Sequence, residues 1–437
     1  MNDPHRQNYT ASVLDSIRVA MVDGENDIDD GGTFSSHLAE AVNSNTGLNM
    51  TLVRRALFNT FRMRFRLGQF EPAEGQKYAP TQKKSMSSRQ SYSNHLIQGP
   101  IGWSRYLKLG MEQVNSPAAQ QLNRETSRQS LVLLQNRERT LPFSVPSTGK
   151  VVVIGGSANS TRLLGGGHYA RALKLVNGFT TGGYPGIPQA IKTVLESKRK
   201  HETGSNAAAE SSAASVEYYP GIACTPRSDS VCSDPAADPA LQAAAVAAAS
   251  KAAQVVVVLN LQAVATCDSA QDVERGGEFN PCGFEGEQHD RPKITLPKHQ
   301  EDLALAVLKA SSAAGVPAAV VLIHGGALAI ESIKAAAPAI LDAHYPGEAT
   351  GAMAVAEALY GTYSPAGKLS YTVMPKEFDS LSDFSKMDMA ASPGRTYKYY
   401  PTSPDIPAAL WEFGYLLRRI FLSSADPFCI GSLCCFE

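Results

Sequence analysis

The sequence carries no surplus of charge. Its 437 residues hold 40 Lys and Arg against 41 Asp and Glu, a formal net charge of −1. That removes the basic footprint a nucleic-acid-binding surface requires, so no nucleic-acid partner is expected. No apolar run reaches the roughly 20 residues a helix needs to span a bilayer, so no membrane partner is expected either. The first residues, Met1-Asn-Asp-Pro-His-Arg6, lack the apolar stretch of a secretory signal. No two cysteines have the spacing of a zinc knuckle, and the histidines are scattered, so the sequence offers no metal site. The glycines after Val151-Val-Val-Ile154 lack the third member of a dinucleotide fingerprint, which argues against a nucleotide-binding module, and no cofactor is implied.

What remains is the composition of a soluble globular protein, 43% hydrophobic and 19% charged, long enough for two to four domains. Seven cysteines are present. Cys224 and Cys232 share a polar loop, and Cys267 and Cys282 flank another. These loop pairs allow disulfides in an oxidising compartment and equally allow free thiols.

Residues 10–70 read as helical with one break. Apolar positions recur at helical spacing from Ala11 to Met21, Asp27–Gly32 reads as a short strand or turn, and Met50–Leu67 reads as a basic amphipathic helix with a solvated arginine face. Residues 73–118 are serine-rich and irregular, as in a linker or insertion. Ordered patterning resumes at Ala118 with a helix through Glu125 and Ser130. Strands are then expected at Val151–Ile154, Ser215–Tyr219, Val255–Asn260, Ala318–Ile323 and Ala339–Ala343. Helices are expected at Pro188–Leu195, Asp238–Ala253, Leu296–Ser312 and Glu348–Tyr360. This alternation predicts an α/β domain over 119–376, with a mainly parallel sheet covered on both faces. Beyond Pro375 the pattern decays, and the last twenty residues fit no element.

The densest chemistry lies in Phe284-Glu-Gly-Glu-Gln-His-Asp-Arg291. Two carboxylates separated by one glycine, followed by His289, Asp290 and Arg291, suit a site for a polar substrate. The segment follows the buried Val255 strand, and loops at the carboxyl ends of such strands are where α/β proteins place their chemistry. Taken alone, the same carboxylates could as well decorate a surface loop.

Seven stretches, in order, resemble family 3 glycoside hydrolases, most closely the β-xylosidase branch. Arg66-Leu-Gly-Gln-Phe-Glu-Pro72 is similar to the FRLGxFDP that closes the family's first domain. Arg128–Asn136 with Leu141-Pro142 is similar to the entry into its second domain. Val151–Asn159, Glu287–Pro297, His344-Tyr-Pro-Gly-Glu348, Tyr363–Leu369 and Pro393–Tyr400 resemble VAVIGPNAN, ExxDRxxxxLP, YPGEAGG, YNPGGRLP and PGRTYRFY.

The resemblance implies a C-terminal α/β sandwich domain at 119–376. It would be preceded by a remnant of a (β/α)8 barrel at 1–72 and a linker at 73–118, and followed by a tail at 377–437 leading towards a fibronectin-like domain. It implies hydrolysis of terminal β-linked sugars with retention, on a β-linked oligosaccharide or xyloside, with no cofactor. Retention needs two carboxyl groups about 5 Å apart. Glu287, four residues before Arg291, matches the family's acid/base; Glu285 is the alternative, and mutual repulsion would raise either carboxyl. His168 and Tyr169 match a stretch that passes near the sugar, with Arg291 as a further substrate contact; a plain loop is the alternative for the first two. Tyr345 and Glu348 fit a strand-to-helix turn better than a sugar contact, and Asp27, Asp29 and Asp30 suit a scaffold role.

The family's nucleophile is an aspartate in an S-D-W or S-D-C motif, and neither occurs here. Ser228-Asp229, Ser233-Asp234 and Ser382-Asp383 all lie outside the barrel-like part. The sequence therefore reads as a truncated member that lacks the nucleophile, with a non-catalytic carbohydrate-binding or inactive remnant as the rival reading. An incomplete barrel would expose apolar surface and lower solubility. A complete member would be expected outside the cell or in the lysosome. Protein partners are not indicated.

Overall fold

The computed structural model describes residues 10–44, 47–66, 116–160, 185–203, 214–226, 232–261, 263–264, 285–286, 293–347, 349–383, 386–401 and 403–417. The chain divides into two compact units, Met1–Ser116 and Pro117–Glu437.

The first unit is helical. Helix α1, Val13–Arg18, starts at Ser12, whose side chain accepts a hydrogen bond from Asp15 N, and runs into a π-helical turn, Val19–Asp23. The Asp27–Gly32 stretch is irregular, bending at Asp30–Gly32, and forms no strand. Its aspartates bond instead of pairing in a sheet: Asp29 Oδ2 accepts from Phe34 N at 2.9 Å, at the start of α2, Thr33–Asn43, and Asp27 Oδ1 accepts from Asn59 Nδ2 at 3.2 Å. Helix α3, Met50–Arg66, is closed at its start by Asn49 Oδ1. These helices bury Ile17, Met21, Ala41, Leu48 and Ala56 together. The opposite side of α3 is not only basic: Phe58 and Phe65 are 64% and 65% exposed. Arg62 and Arg64 lie over the Phe58 and Phe61 rings at 5.7 and 5.8 Å, so their guanidiniums shield aromatic surface as well as meeting water.

The second unit is the α/β domain. In chain order it contains α4 Pro117–Ser130, β1 Val132–Asn136, β2 Lys150–Ile154, α5 Ile187–Thr203, β3 Ser215–Tyr219, β4 Ala223–Pro226, β5 Cys232–Ala236, α6 Pro239–Ala249, β6 Gln254–Asn260, β7 Ala263–Val264, β8 Glu285–Gly286, α7 Lys298–Ala313, β9 Ala318–Ile323, α8 Glu331–Ala336, β10 Ala339–Asp342 and α9 Gly351–Leu359. Single-turn helices follow at Phe378–Leu381 and Thr396–Tyr399. Six strands form one sheet in the order β1-β10-β9-β6-β2-β3, with β4–β5 and β7–β8 as separate two-stranded pairs. Strands β2, β3, β6, β9 and β10 run parallel, and β1 is antiparallel to β10.

The strands are near-continuous apolar runs because both faces are covered. Val151, Val153, Val256, Val258 and Val321 pack on one face with Ile187, Ile191 and Leu195 of α5 and Val355 of α9. Their neighbours Val152, Ile154, Val255, Val257 and Val320 pack on the other with Ala245 of α6, Leu303 and Val307 of α7 and Ile333 of α8. The period-two alternation of one valine run thus feeds two cores, each side chain contributing about 1.5–3 kcal/mol. The free edge of β1 is covered by the segment ending at Leu417: Trp411 Nε1 donates to Leu134 O at 3.2 Å, and Leu417 N to Leu133 O at 3.3 Å. Helix α4 is locked to α9 through Glu357, which is buried and accepts from Arg128 Nε at 2.6 Å, Arg128 Nη2 at 2.9 Å and Arg124.

Candidate functional site

Counting only the parallel strands, the spatial order is second-first-third-fourth-fifth. Connections therefore wind one way from β2 to β3 and the other way from β6 onward. The reversal falls between β2 and β6, and a crevice outside the carboxyl ends of the strands opens there in sheets of this kind.

The exit of β2 is tightly built. Gly155 has φ +143°, and a Cβ there would sit 2.2 Å from Val258 O of β6, so only glycine lets the chain leave beside its neighbour. Tyr218 Oη donates to Gly156 O at 3.0 Å, and burial pushes the Tyr218 phenol up to about 12. The hydroxyl of Ser157, two residues past the turn, is buried and has no hydrogen-bond partner among the described residues.

The exit of β6 is clamped by a side chain acting as a strand. Gln300 of α7 accepts from Asn260 N at 2.9 Å and donates to Asn260 O at 2.8 Å. Leu261 N then donates to Ile323 O at 2.9 Å, and Tyr345 Oη donates to Leu261 O at 2.9 Å. The chain returns through β8, whose Glu285 and Gly286 pair in parallel with Ala263 and Val264 of β7. It is fixed again at Ile294, whose N–H donates to Asp379 Oδ2 at 3.0 Å and whose carbonyl accepts from Ala329 N at 2.7 Å.

Of the residues expected from sequence, Glu287, Arg291, His168 and Tyr169 lie outside the described residues, as do His289, Asp290 and Glu348. Glu285 is described through its backbone alone, in β8. In the sequence, His168 and Tyr169 follow β2, and Glu285, Glu287 and Arg291 follow β6. The two strands are sheet neighbours. Tyr345 is engaged with Leu261 O, and Ser127 Oγ donates to Pro346 O at 2.7 Å, so the His344–Gly347 stretch is a structural turn, with Gly347 at φ +95°.

Three residues that the sequence reading left scattered meet one strand further along. His324 follows β9, Asp342 ends β10, and His344 follows it. His324 Nε2 lies 3.1 Å from Asp342 Oδ1, and His344 Nε2 lies 3.6 Å from Asp342 Oδ2. The imidazole rings are 5.0 Å apart. His324 and Asp342 are each 1% exposed, while His344 is 28% exposed. Burial alone would raise the Asp342 carboxyl; the two imidazoles, with the hydrogen bonds from His324 and from His344 N, outweigh it and hold the group below the usual carboxylate range. The signal available in the sequence was a polar residue directly after an apolar strand run, Ile323-His324 and Leu341-Asp342.

The α/β layering, the parallel sheet and its crowded carboxyl ends define the class of domain. Residues 131–418 match the family described as "Glycosyl hydrolase family 3 C-terminal domain", and the chain belongs to that family. It is 28% identical over 401 residues to a β-xylosidase/α-L-arabinofuranosidase of Medicago sativa subsp. varia, covering 90% of this chain and 40% of that protein. It is also 28% identical over 398 residues to a probable exo-1,4-β-xylosidase of Neosartorya fischeri, covering 90% and 39%. Among solved structures, an exo-β-xylosidase in complex with a xylobiose aziridine activity-based probe matches with a TM-score of 0.58 and 21% identity, over 95% of this chain and 42% of that one. The chain thus spans about two-fifths of the length of the curated relatives it matches. The structural match shows the shared fold.

Proposed function

We propose that the chain acts in a β-xylosidase-type glycoside hydrolase that cleaves terminal β-linked sugars with retention, and that Glu287 is the acid/base. The observation that carries this reading is that β2 and β6, the strands on either side of the reversal of strand order, are sheet neighbours. All five expected residues, Glu285, Glu287, Arg291, His168 and Tyr169, lie on the segments that follow β2 and β6, where the geometry of the sheet favours a ligand crevice. Both strand exits are fixed by hydrogen bonds, part-buried at β2 and buried at β6, which is the kind of rigid support a catalytic segment needs. Names of the relatives, β-xylosidases among them, support the substrate class. In this reading residues 1–72 are a remnant of a (β/α)8 barrel, and 119–376 are the sandwich domain that carries Glu287.

A retaining pair needs a second carboxylate about 5–5.5 Å from the first. No S-D-W or S-D-C motif occurs in these 437 residues; this supports the reading that the chain lacks the nucleophile and alone is inactive. The test is release of nitrophenol from an aryl β-xyloside. The chain alone is expected to give none. Joined to a family barrel at its N-terminus, it is expected to hydrolyse the substrate with net retention. Glu287→Gln should then lower kcat/KM about 10²–10⁴-fold, and Glu285→Gln far less. Equal losses in the two variants, or turnover by the chain alone that survives Glu287→Gln, would sink the assignment.

A further inference from the structure

The His324–Asp342–His344 cluster plays no part in the reading above. The geometry points to a divalent metal site, and we propose that His324 Nε2, the Asp342 carboxylate and His344 Nε2 bind one zinc-class ion.

Four observations carry this. The three side chains each offer one donor atom, and these atoms lie within 4.8 Å of one another. The measured separations of 3.1 and 3.6 Å between imidazole nitrogen and carboxylate oxygen bracket the roughly 3.3 Å edge of a tetrahedron with zinc–nitrogen and zinc–oxygen bonds near 2.0–2.2 Å. A set of two imidazoles and one carboxylate suits zinc and its neighbours in the first transition row, and an all-oxygen preference excludes calcium and magnesium.

The second observation is the tautomer of His324. Its Nδ1 lies 2.7 Å from Gly326 O, a carbonyl that can only accept. Nδ1 therefore carries a proton, which leaves Nε2 as the nitrogen that binds an ion once it gives up the proton it donates to Asp342. A ring nitrogen held this way by a backbone carbonyl is the usual outer support of a metal-bound histidine. The third is preorganisation of the carboxylate: Asp342 Oδ1 also accepts from His344 N at 3.1 Å, which fixes its plane. The fourth is access. His344 holds a left-handed backbone, φ +49°, which is uncommon for a residue with a side chain and brings its ring over Asp342. With His324 and Asp342 buried and His344 28% exposed, the ion enters from the His344 side. Three protein ligands leave a position for water, as in an open site.

The seven cysteines could also take up zinc, so the test must separate the two donor sets. The full chain, stripped with a chelator and with its thiols alkylated, is titrated with Co²⁺ and with Zn²⁺. One ion per chain is expected, with the visible d–d bands of a nitrogen/oxygen set and no near-ultraviolet thiolate band, and Zn²⁺ should displace the Co²⁺. His344→Ala changes a partly exposed residue and leaves the buried pair in place; it should weaken Zn²⁺ binding at least about a hundredfold. Asp342→Asn should do the same. The proposal is overturned if the alkylated chain binds neither ion, or if His344→Ala binds Zn²⁺ as tightly as the parent. Since no activity is read, failure of the hydrolase reading would leave this result untouched.

Discussion

Glu357→Gln perturbs the junction between α4 and α9 with the least change of shape. The carboxylate is 3% exposed and meets Arg128 through both Nε and Nη2, a bidentate pairing, with Arg124 as a third donor. Glutamine keeps one oxygen but turns an amide NH2 towards guanidinium donors, so at least one buried bond becomes a donor–donor clash. Breaking a buried pair from one side costs about 3–5 kcal/mol. Here the Arg128 and Arg124 side chains are 22% and 47% exposed, and can turn partly to water, which places the expected loss near the bottom of that range, about 3 kcal/mol at pH 7. The pH dependence sharpens the test. Burial would raise the Glu357 carboxyl, but the bonds and charges of Arg128 and Arg124 prevail and lower it. A depressed folded-state carboxyl contributes stability that is fully present above the unfolded value, near 4.3, and is lost as pH falls through the folded value. The gap between parent and variant should therefore be constant from pH 7 to about 5 and shrink below about 4.3. Urea unfolding read by Trp411 fluorescence, in a Trp103→Phe background, isolates the α/β unit, since Trp411 is 4% exposed and bonded to β1. A gap below about 0.5 kcal/mol, within the ordinary scatter of surface changes, or one that does not narrow in acid, would refute the reasoning.

Gly155→Ala should destabilise the same unit by more than about 2 kcal/mol, because the new Cβ would meet Val258 O at 2.2 Å; urea unfolding measures it, and a neutral variant would contradict the described exit from β2. Gln300→Leu, similar in volume, leaves Asn260 N and O buried without partners and should cost about 2–4 kcal/mol; faster amide exchange at Asn260 and Leu261 should accompany it. Tyr218→Phe should remove one phenol titrating at about 12 from the ultraviolet pH titration, while a lost phenol near 10 would contradict its burial.

Much of the sheet was legible because its strands are short apolar runs with nothing else to do. Ser215–Tyr219 and Ala318–Ile323 fall where expected, and β6 gains only Gln254 at its start. Helices were less legible at their ends. The α5 pattern stops at Leu195, yet the helix continues to Thr203, since Glu196, Lys198, Arg199 and Lys200 are good helix formers with no apolar period to announce them. Helix α8, six residues long, and the β4–β5 pair, interrupted by Pro226 and Pro235, carry too little periodicity to be read. Cys224 pairs with Pro235 and Cys232 with Pro226 along that ladder. At the candidate site, the alternation of strands and helices revealed a parallel sheet but not its order, and the order alone makes neighbours of β2 and β6, the strands that precede the expected residues. His324 and Asp342, 18 residues apart in sequence, meet only because β9 and β10 pair in parallel.

Strand β1 gives the domain an unusual schedule. Among the described strands of the six-stranded sheet it comes first in the sequence, yet it pairs with the one that comes last, β10; Gln135 and Ala337, which it brings into contact, are 202 residues apart. At about 5–20 residues per second, roughly ten to forty seconds of translation separate the two partners. Throughout that interval Val132-Leu-Leu134 is an apolar segment with no ladder, the kind of sequence that other chains can capture. The edge that finally seals the sheet is thus also the one that a ribosome-bound holdase would have to guard. A circular permutant that carries residues 117–136 after residue 417 would shorten the separation of the paired Val132 and Asp342 to less than half, and should fold faster without altering the mature core.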